Sequence, residues 1–439
     1  MMKITVRIPS DYMEERNYVA KTIFQTFLGL DYEVIPSKID VTIMSWNDRS
    51  ITFKDAFWRN GGGISVDNLP VVKYAKNEFT PEPDIPVLYG DGIFVKDESH
   101  IDCGIDVFAS IFFMLTRWEE YVIKRRDKWN RFNGKDSVAF KAGFLHRPIV
   151  NEYVEMIWNM MLYLGYSGKR KPRRFEVVPT HDIDKVFMRR RFVDTAKTVV
   201  KRSLALDIRD AIFFSFDFLR DPYNTFNFLM KTSEETGVNS RFYFMSADGA
   251  IDRFRDSPFN SKRYQTVIKQ IRKRGHYIGF HPGFFSVEKE QNWHKEKKMY
   301  EEYLGFTPEE GRQHYLRFNM PETFSFWEHN DMKLDSTLTY YDVEGFRCGT
   351  GDIFHVFNFL ERKEYELVER PLVIMDGTLL DYQSYPLNKV VEVLDYYISI
   401  GKKYKMPITL LFHNSVFEGY QGYKLKKIYR NCLNKCKAS

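Results

Sequence analysis

From residue 175 onward the chain returns repeatedly to a short apolar run, and each run stops at a polar or ionisable side chain. The runs are FEVVPT, SRFYFMS, HYIGFH, RQHYLRF, PLVIMD and PITLLFH. Segments with helical apolar spacing separate them. Strands that alternate with helices in this way argue for a parallel sheet with crossover helices. Six or more such strands in about 260 residues suit a (β/α) barrel, complete or incomplete, whose active site collects at the carboxyl ends of the strands. Those ends carry His181, Asp182 and Asp184; Ser246; His281; His314 or Arg317; Asp376; and His413. A solvated loop would more often deliver Gly, Asn, Ser or Lys.

Asp and His together are the ligand set of a hydrolytic zinc or similar divalent site. A second carboxylate near the metal-bound water would serve as general base, and a His on the opposite side would protonate the leaving group. Asp182 and Asp184 bracket one residue, so in an extended segment they point the same way. In a tighter turn they could divide the two roles. His276 begins its strand and reads as a packed histidine. His281 ends its strand before Pro-Gly and reads as a site residue. Asp376 is either a site residue or the start of an Asp-Gly turn. Arg347, in GFRCGTG, either meets a substrate group or sits in a tight surface turn.

The first 170 residues have another style. KITVRIP, YEVIP, KIDVTIM, RSITFKD and GIFVKD read as strands. YVAKTIFQTFL, a long amphipathic segment starting near Gly104 or Asp106, and RPIVNEYVEMIWNMMLYLGY read as helices. The polar, basic stretch SGKRKPRR, 167–174, is the candidate linker. The expected organisation is an α/β domain over 1–170 followed by the barrel over 171–439. No glycine-rich phosphate loop is present.

Net charge is +6, and basic residues are interspersed with acidic ones. With no Lys/Arg stripe, nucleic-acid binding is not expected. Two basic runs stand out, MRRRF after the first strand end and the closing YKLKKIYRNCLNKCKAS. The tail is a solvated helix or a peripheral contact for an anionic membrane. The four cysteines are scattered and do not suggest a disulfide framework. There is no signal-peptide pattern at the N-terminus and no apolar stretch of about 18 residues, so a cytoplasmic location is expected. Aromatic residues make up 16%, which suits large cores or carbohydrate-facing surfaces.

In their order, these motifs resemble the polysaccharide deacetylases of carbohydrate esterase family 4, over roughly Phe175 to Phe417. The resemblance implies a distorted (β/α) barrel and removal of an acetyl group from an acetylated sugar, in surface polysaccharide biosynthesis. It also implies an Asp-His-His metal triad, usually zinc. Thr180-His181-Asp182 is similar to the family's Thr-Phe-Asp-Asp, which makes Asp182 the catalytic base. Ile183 stands where the family has its metal Asp, and Asp184 follows. RGHYIGFHPGFFS is similar to the second motif and puts His281 on the first metal His. The second metal His falls on Phe285. His314 is the substitute ligand, and His181 is a further candidate. Arg312 in GRQHYLRF would orient the catalytic Asp, and His413 in LLFHN would be the general acid. Arg317, Arg347 and Asp376 are left as substrate contacts. The lost second His also motivates a non-catalytic barrel that binds glycan or a partner, and the same fold could host another amide hydrolase.

Overall fold

The computed structural model describes residues 3–186, 221, 223–246 and 262–435. The MRRRF run lies outside them.

Eight strands precede residue 170: β1 (Ile4–Pro9), β2 (Tyr32–Ser37), β3 (Val41–Trp46), β4 (Arg49–Lys54), β5 (Lys73–Ala75), β6 (Ile85–Val87), β7 (Gly90–Lys96) and β8 (His100–Ile105). Six form one sheet in the order β2-β1-β3-β4-β8-β7. β3 and β4 pair antiparallel across a two-residue turn. Asn47 supplies the left-handed position at φ 48° that such a turn needs.

The long amphipathic helix expected after Gly104 is shorter and not amphipathic. It spans Val107–Thr116, is buried on every side, and stops at Arg117, which has φ 52°. A helix apolar all round belongs in a core. Asp106 caps it, accepting the Ala109 N–H at 2.9 Å.

The second sheet has nine strands: β9 (Glu176–Ile183), β10 (Arg241–Met245), β11 (Tyr277–His281), β12 (Glu310–Gly311), β13 (Leu334–Asp335), β14 (Phe354–Asn358), β15 (Lys363–Glu369), β16 (Leu372–Met375) and β17 (Pro407–Leu411). Their order is β14-β15-β13-β12-β11-β10-β9-β17-β16, parallel except for β14. β15 and β16 lie near opposite ends of this order, yet only Arg370 and Pro371 separate them in sequence. Three Cα steps reach about 11 Å at most, so the sheet must curl until its ends nearly meet.

No strand ladder joins those ends among the described residues. The expected barrel is therefore a curled, open mixed α/β sheet. The gap is filled by the segment after β13, where Gly345 N–H donates to Val373 at 3.2 Å. That segment also bonds to the first half of the chain: Phe346 N–H to Leu145 O at 2.9 Å, and Val150 N–H to Gly349 O at 2.9 Å. Backbone groups that would have closed the barrel are paired across the two halves instead.

The contact between the halves is buried and polar at its centre. Arg117, Glu119, Glu120, Tyr340 and Arg347 are all buried and joined by ion pairs and hydrogen bonds. The candidate linker is pinned as well, by Arg170 on Glu155 at 2.8 Å and Lys171 N–H on Leu28 O at 2.8 Å. The helix Gly419–Asn434 near the C-terminus buries Leu425, Tyr429 and Leu433, so its apolar face is used internally. Among the described residues no helix is long and apolar enough to cross a membrane.

Candidate metal centre

β9 continues through Ile183, so His181 and Asp182 lie inside the strand. Side chains alternate along a strand. Asp182 faces the cleft, Asp184 follows it just past the strand end, and His181 faces away. The His181 Nδ1 lies 2.8 Å from the Phe412 carbonyl oxygen, and its Nε2 lies 3.2 Å from Ser240 Oγ. Burial brings its pKa down to about 4, which keeps the ring neutral. With both nitrogens engaged behind the sheet, His181 is corrected from metal ligand to core histidine.

His281 ends β11. Its Nδ1 is 2.6 Å from the Arg312 carbonyl oxygen, which turns Nε2 toward the cleft. That Nε2 stands 3.3 Å from Asp184 Oδ1, and His314 Nε2 stands 3.8 Å from the same oxygen. The ligand atoms of Asp184, His281 and His314 lie within 4.8 Å of one another. Ligand atoms around a tetrahedral ion with bonds near 2.1 Å stand about 3.4 Å apart. His281 Nε2 and Asp184 Oδ1 are buried and make no hydrogen bond. Orphaned polar atoms converging on one point fit a divalent ion.

His314 reaches this point differently from expectation. RQHYLRF is not a strand: β12 ends at Gly311, and His314 opens a tight turn. Tyr315 and Leu316 follow at φ 60° and 55°. Two successive left-handed non-glycine residues are strained, a cost that tends to gather where geometry matters.

Arg312 is fully buried and donates to Asp182 Oδ1 at 2.7 Å, Thr180 Oγ1 at 3.0 Å and Ser336 O at 2.7 Å. Asp182 Oδ2 remains near His281 Nε2, at 4.0 Å. Opposite, His413 Nδ1 is 2.7 Å from Asp376 Oδ1. Asp182, Asp184, His281, His314 and His413 line a cleft of about 370 Å³, with Leu316 and Met375 as apolar wall and Arg131, Tyr315 and Tyr382 at its side.

Charge follows geometry. Burial alone would raise the Asp184 pKa, but His314, His281 and His413 hold its carboxyl well below the usual range. Burial opposes the charge on His281, and Asp182 and Asp184 outweigh it, so its pKa rises. Burial also opposes His413, yet Asp376, backed by Asp184 and Asp182, lifts it to about 10.

Residues 4–165 match a family of unknown function, DUF7033. No curated protein matches the chain. One similar solved structure, from Mycobacterium smegmatis, is provisionally described as a polysaccharide deacetylase. It is 15% identical, with a TM-score of 0.39, and the match covers 61% of this chain and 86% of that one.

Three expected substrate contacts are corrected by their surroundings. Arg347 is buried against Glu120 and the Thr339 carbonyl. Arg317 donates to the carbonyls of Trp129 and Phe284 and to Glu288. Asp376 is buried and holds His413. Phe285, on which the resemblance puts the second metal His, is exposed. Sequence reading missed Asp381, which lines the cleft with a pKa raised by burial and by Asp376. Its place just beyond a strand-end Asp was a signal. Arg131 was also missed, and no local pattern marked it.

Proposed function

We propose that this protein is a divalent-metal-dependent hydrolase that removes an acetyl group from an acetylated carbohydrate. The observation that carries the reading is the convergence of Asp184, His281 and His314 between Asp182 and His413 in one cleft. One carboxylate with two imidazoles suits zinc. A bound ion would polarise the acetyl carbonyl and lower the pKa of a water.

The protein's own groups supply the proton transfers. Asp182, held by Arg312, accepts the proton of the attacking water. His413 is tied through Nδ1 to Asp376, so its Nε2 carries the proton that goes to the leaving group. Leu316 and Met375 suit an acetyl methyl group. The partly exposed rings of Tyr315 and Tyr382 suit the apolar face of a sugar. Residues 1–170 and 171–439 act as two units that share this cleft.

The test is elemental analysis of the purified protein together with acetate release from a panel of acetylated sugars and sugar nucleotides. Bound zinc and released acetate, both abolished in His281→Ala, support the reading. A metal-free protein whose binding of acetylated sugar survives Asp182→Asn overturns it.

A further inference from the structure

The half of the chain that matches the family of unknown function reaches the cleft through Arg131. The loop 127–131 folds on itself: Asp127 Oδ1 accepts the N–H of Trp129 at 2.9 Å and of Arg131 at 2.8 Å. Asp127 N–H donates to Arg131 O at 3.0 Å. The Arg131 guanidinium is fixed on Asp127 Oδ2 at 2.8 and 3.0 Å and stacked 3.5 Å over the Tyr341 ring. A loop closed this way is a stiff part, with little left to order on contact.

It touches the turn that carries His314 and the turn that follows His281. Arg131 Nη1 donates to the Tyr315 carbonyl at 3.3 Å, next to His314, and Nη2 donates to Tyr382 Oη at 3.0 Å. Trp129 O accepts from Arg317 Nε at 3.0 Å, on the far side of the same turn. The Trp129 ring packs 5.8 Å from Tyr315 and 5.6 Å from Phe284. Phe284 lies in the turn that follows His281. The strained turn at Tyr315 and Leu316 is therefore braced from outside its own half of the chain.

We propose that the loop 127–131 is a clamp that sets the spacing of His281 and His314, with Arg131 as a positioning residue for the metal centre. This rests on the metal reading above and gives the N-terminal half a role in it. Ligand orientation by outer groups typically governs metal affinity by about ten- to a hundredfold.

The test compares full-length Arg131→Ala, Arg131→Lys and Arg362→Ala. Arg362 pairs with Glu15 across the halves at 2.7 Å and touches neither turn. Zinc affinity is read by competition with a chromophoric chelator. Hydrogen exchange of residues 281–286 and 312–318 is read in metal-free protein. Arg131→Ala is expected to bind zinc about tenfold more weakly and to exchange faster in both turns, with Arg362→Ala unchanged. Arg131→Lys keeps the charge but not the fork, falls between, and stands in if the alanine variant does not fold. Unchanged affinity and exchange in the Arg131 variants overturn the clamp, as does an equal effect in Arg362→Ala. If the unaltered protein binds no zinc, the functional reading fails, and the exchange comparison still decides the clamp.

Discussion

The Asp376 carboxylate holds His413 at two points: Oδ1 is 2.7 Å from the imidazole Nδ1, and Oδ2 accepts the His413 backbone N–H at 2.7 Å. One side chain thus sets the tautomer, the ring orientation and the charge of the histidine that faces the cleft.

Asp376→Asn is expected to bring the His413 pKa down from about 10 toward the ordinary imidazole range. A general acid works in its protonated form, so activity falls as pH rises past that pKa, and the fall should begin at lower pH in the variant. Metal, a positive charge nearby, moves the limb the same way. Proton-transfer catalysis of this kind is worth about 10²–10⁴-fold. Histidine NMR titration and a kcat–pH profile of both proteins check it.

Arg312→Ala leaves Asp182 buried without its partner. Removing one member of a buried ion pair costs about 3–5 kcal/mol, so a loss of that size is expected in urea denaturation. Arg312→Lys should recover part of it, since it restores the charge but not the three-way hydrogen bonding to Asp182, Thr180 and Ser336.

His281→Ala and His314→Ala should each lose bound metal by elemental analysis. His181→Ala should keep it and lose stability instead, because its ring fills a buried site between Phe242 and Tyr429. Metal loss in His181→Ala with retention in His314→Ala would reverse the ligand assignment.

Asp335 and Glu369 are register partners on neighbouring strands, both fully buried. Burial raises both pKa values, Asp335 to about 6 and Glu369 well above its usual range. Asp335 Oδ2 and Glu369 Oε2 are buried and make no hydrogen bond, so two negative charges there would go uncompensated. Folded-state values above the unfolded ones mean that the folded state binds more protons. Stability is then full below the unfolded carboxylate pKa and is lost as pH rises from there through the folded values, about 6 for Asp335 and higher for Glu369. Glu369→Gln should flatten that loss, on the order of 2 kcal/mol, in denaturation series from pH 5 to 8.

Several site residues were legible because strand ends concentrate chemistry. Asp182, Asp184, His281 and His413 all sit where an apolar run stops, and all face the cleft. His314 was found by the same rule although its segment is a turn. β13 has two residues and β12 has two, too few for a period to show. Asp376 looked like a turn or a substrate contact, since nothing near it in sequence announces that His413 is its partner. Arg317 and Arg347 looked free for substrate because one partner of each, the Trp129 carbonyl and the Glu120 carboxylate, lies in the other half of the chain.

The sequence by itself determined the strand-and-helix alternation, a helix starting near Gly104 or Asp106, and the two-residue spacing that puts Asp182 and Asp184 on one side. These follow from local backbone geometry, whose periods are written into neighbouring residues. Only the tertiary structure decided that the sheet stays open, that His181 turns away while His314 turns in, and that the loop 127–131 packs against the turns beside His281 and His314. Those outcomes depend on which distant backbone and charged groups satisfy one another once water is excluded, and that pairing has no period along the chain.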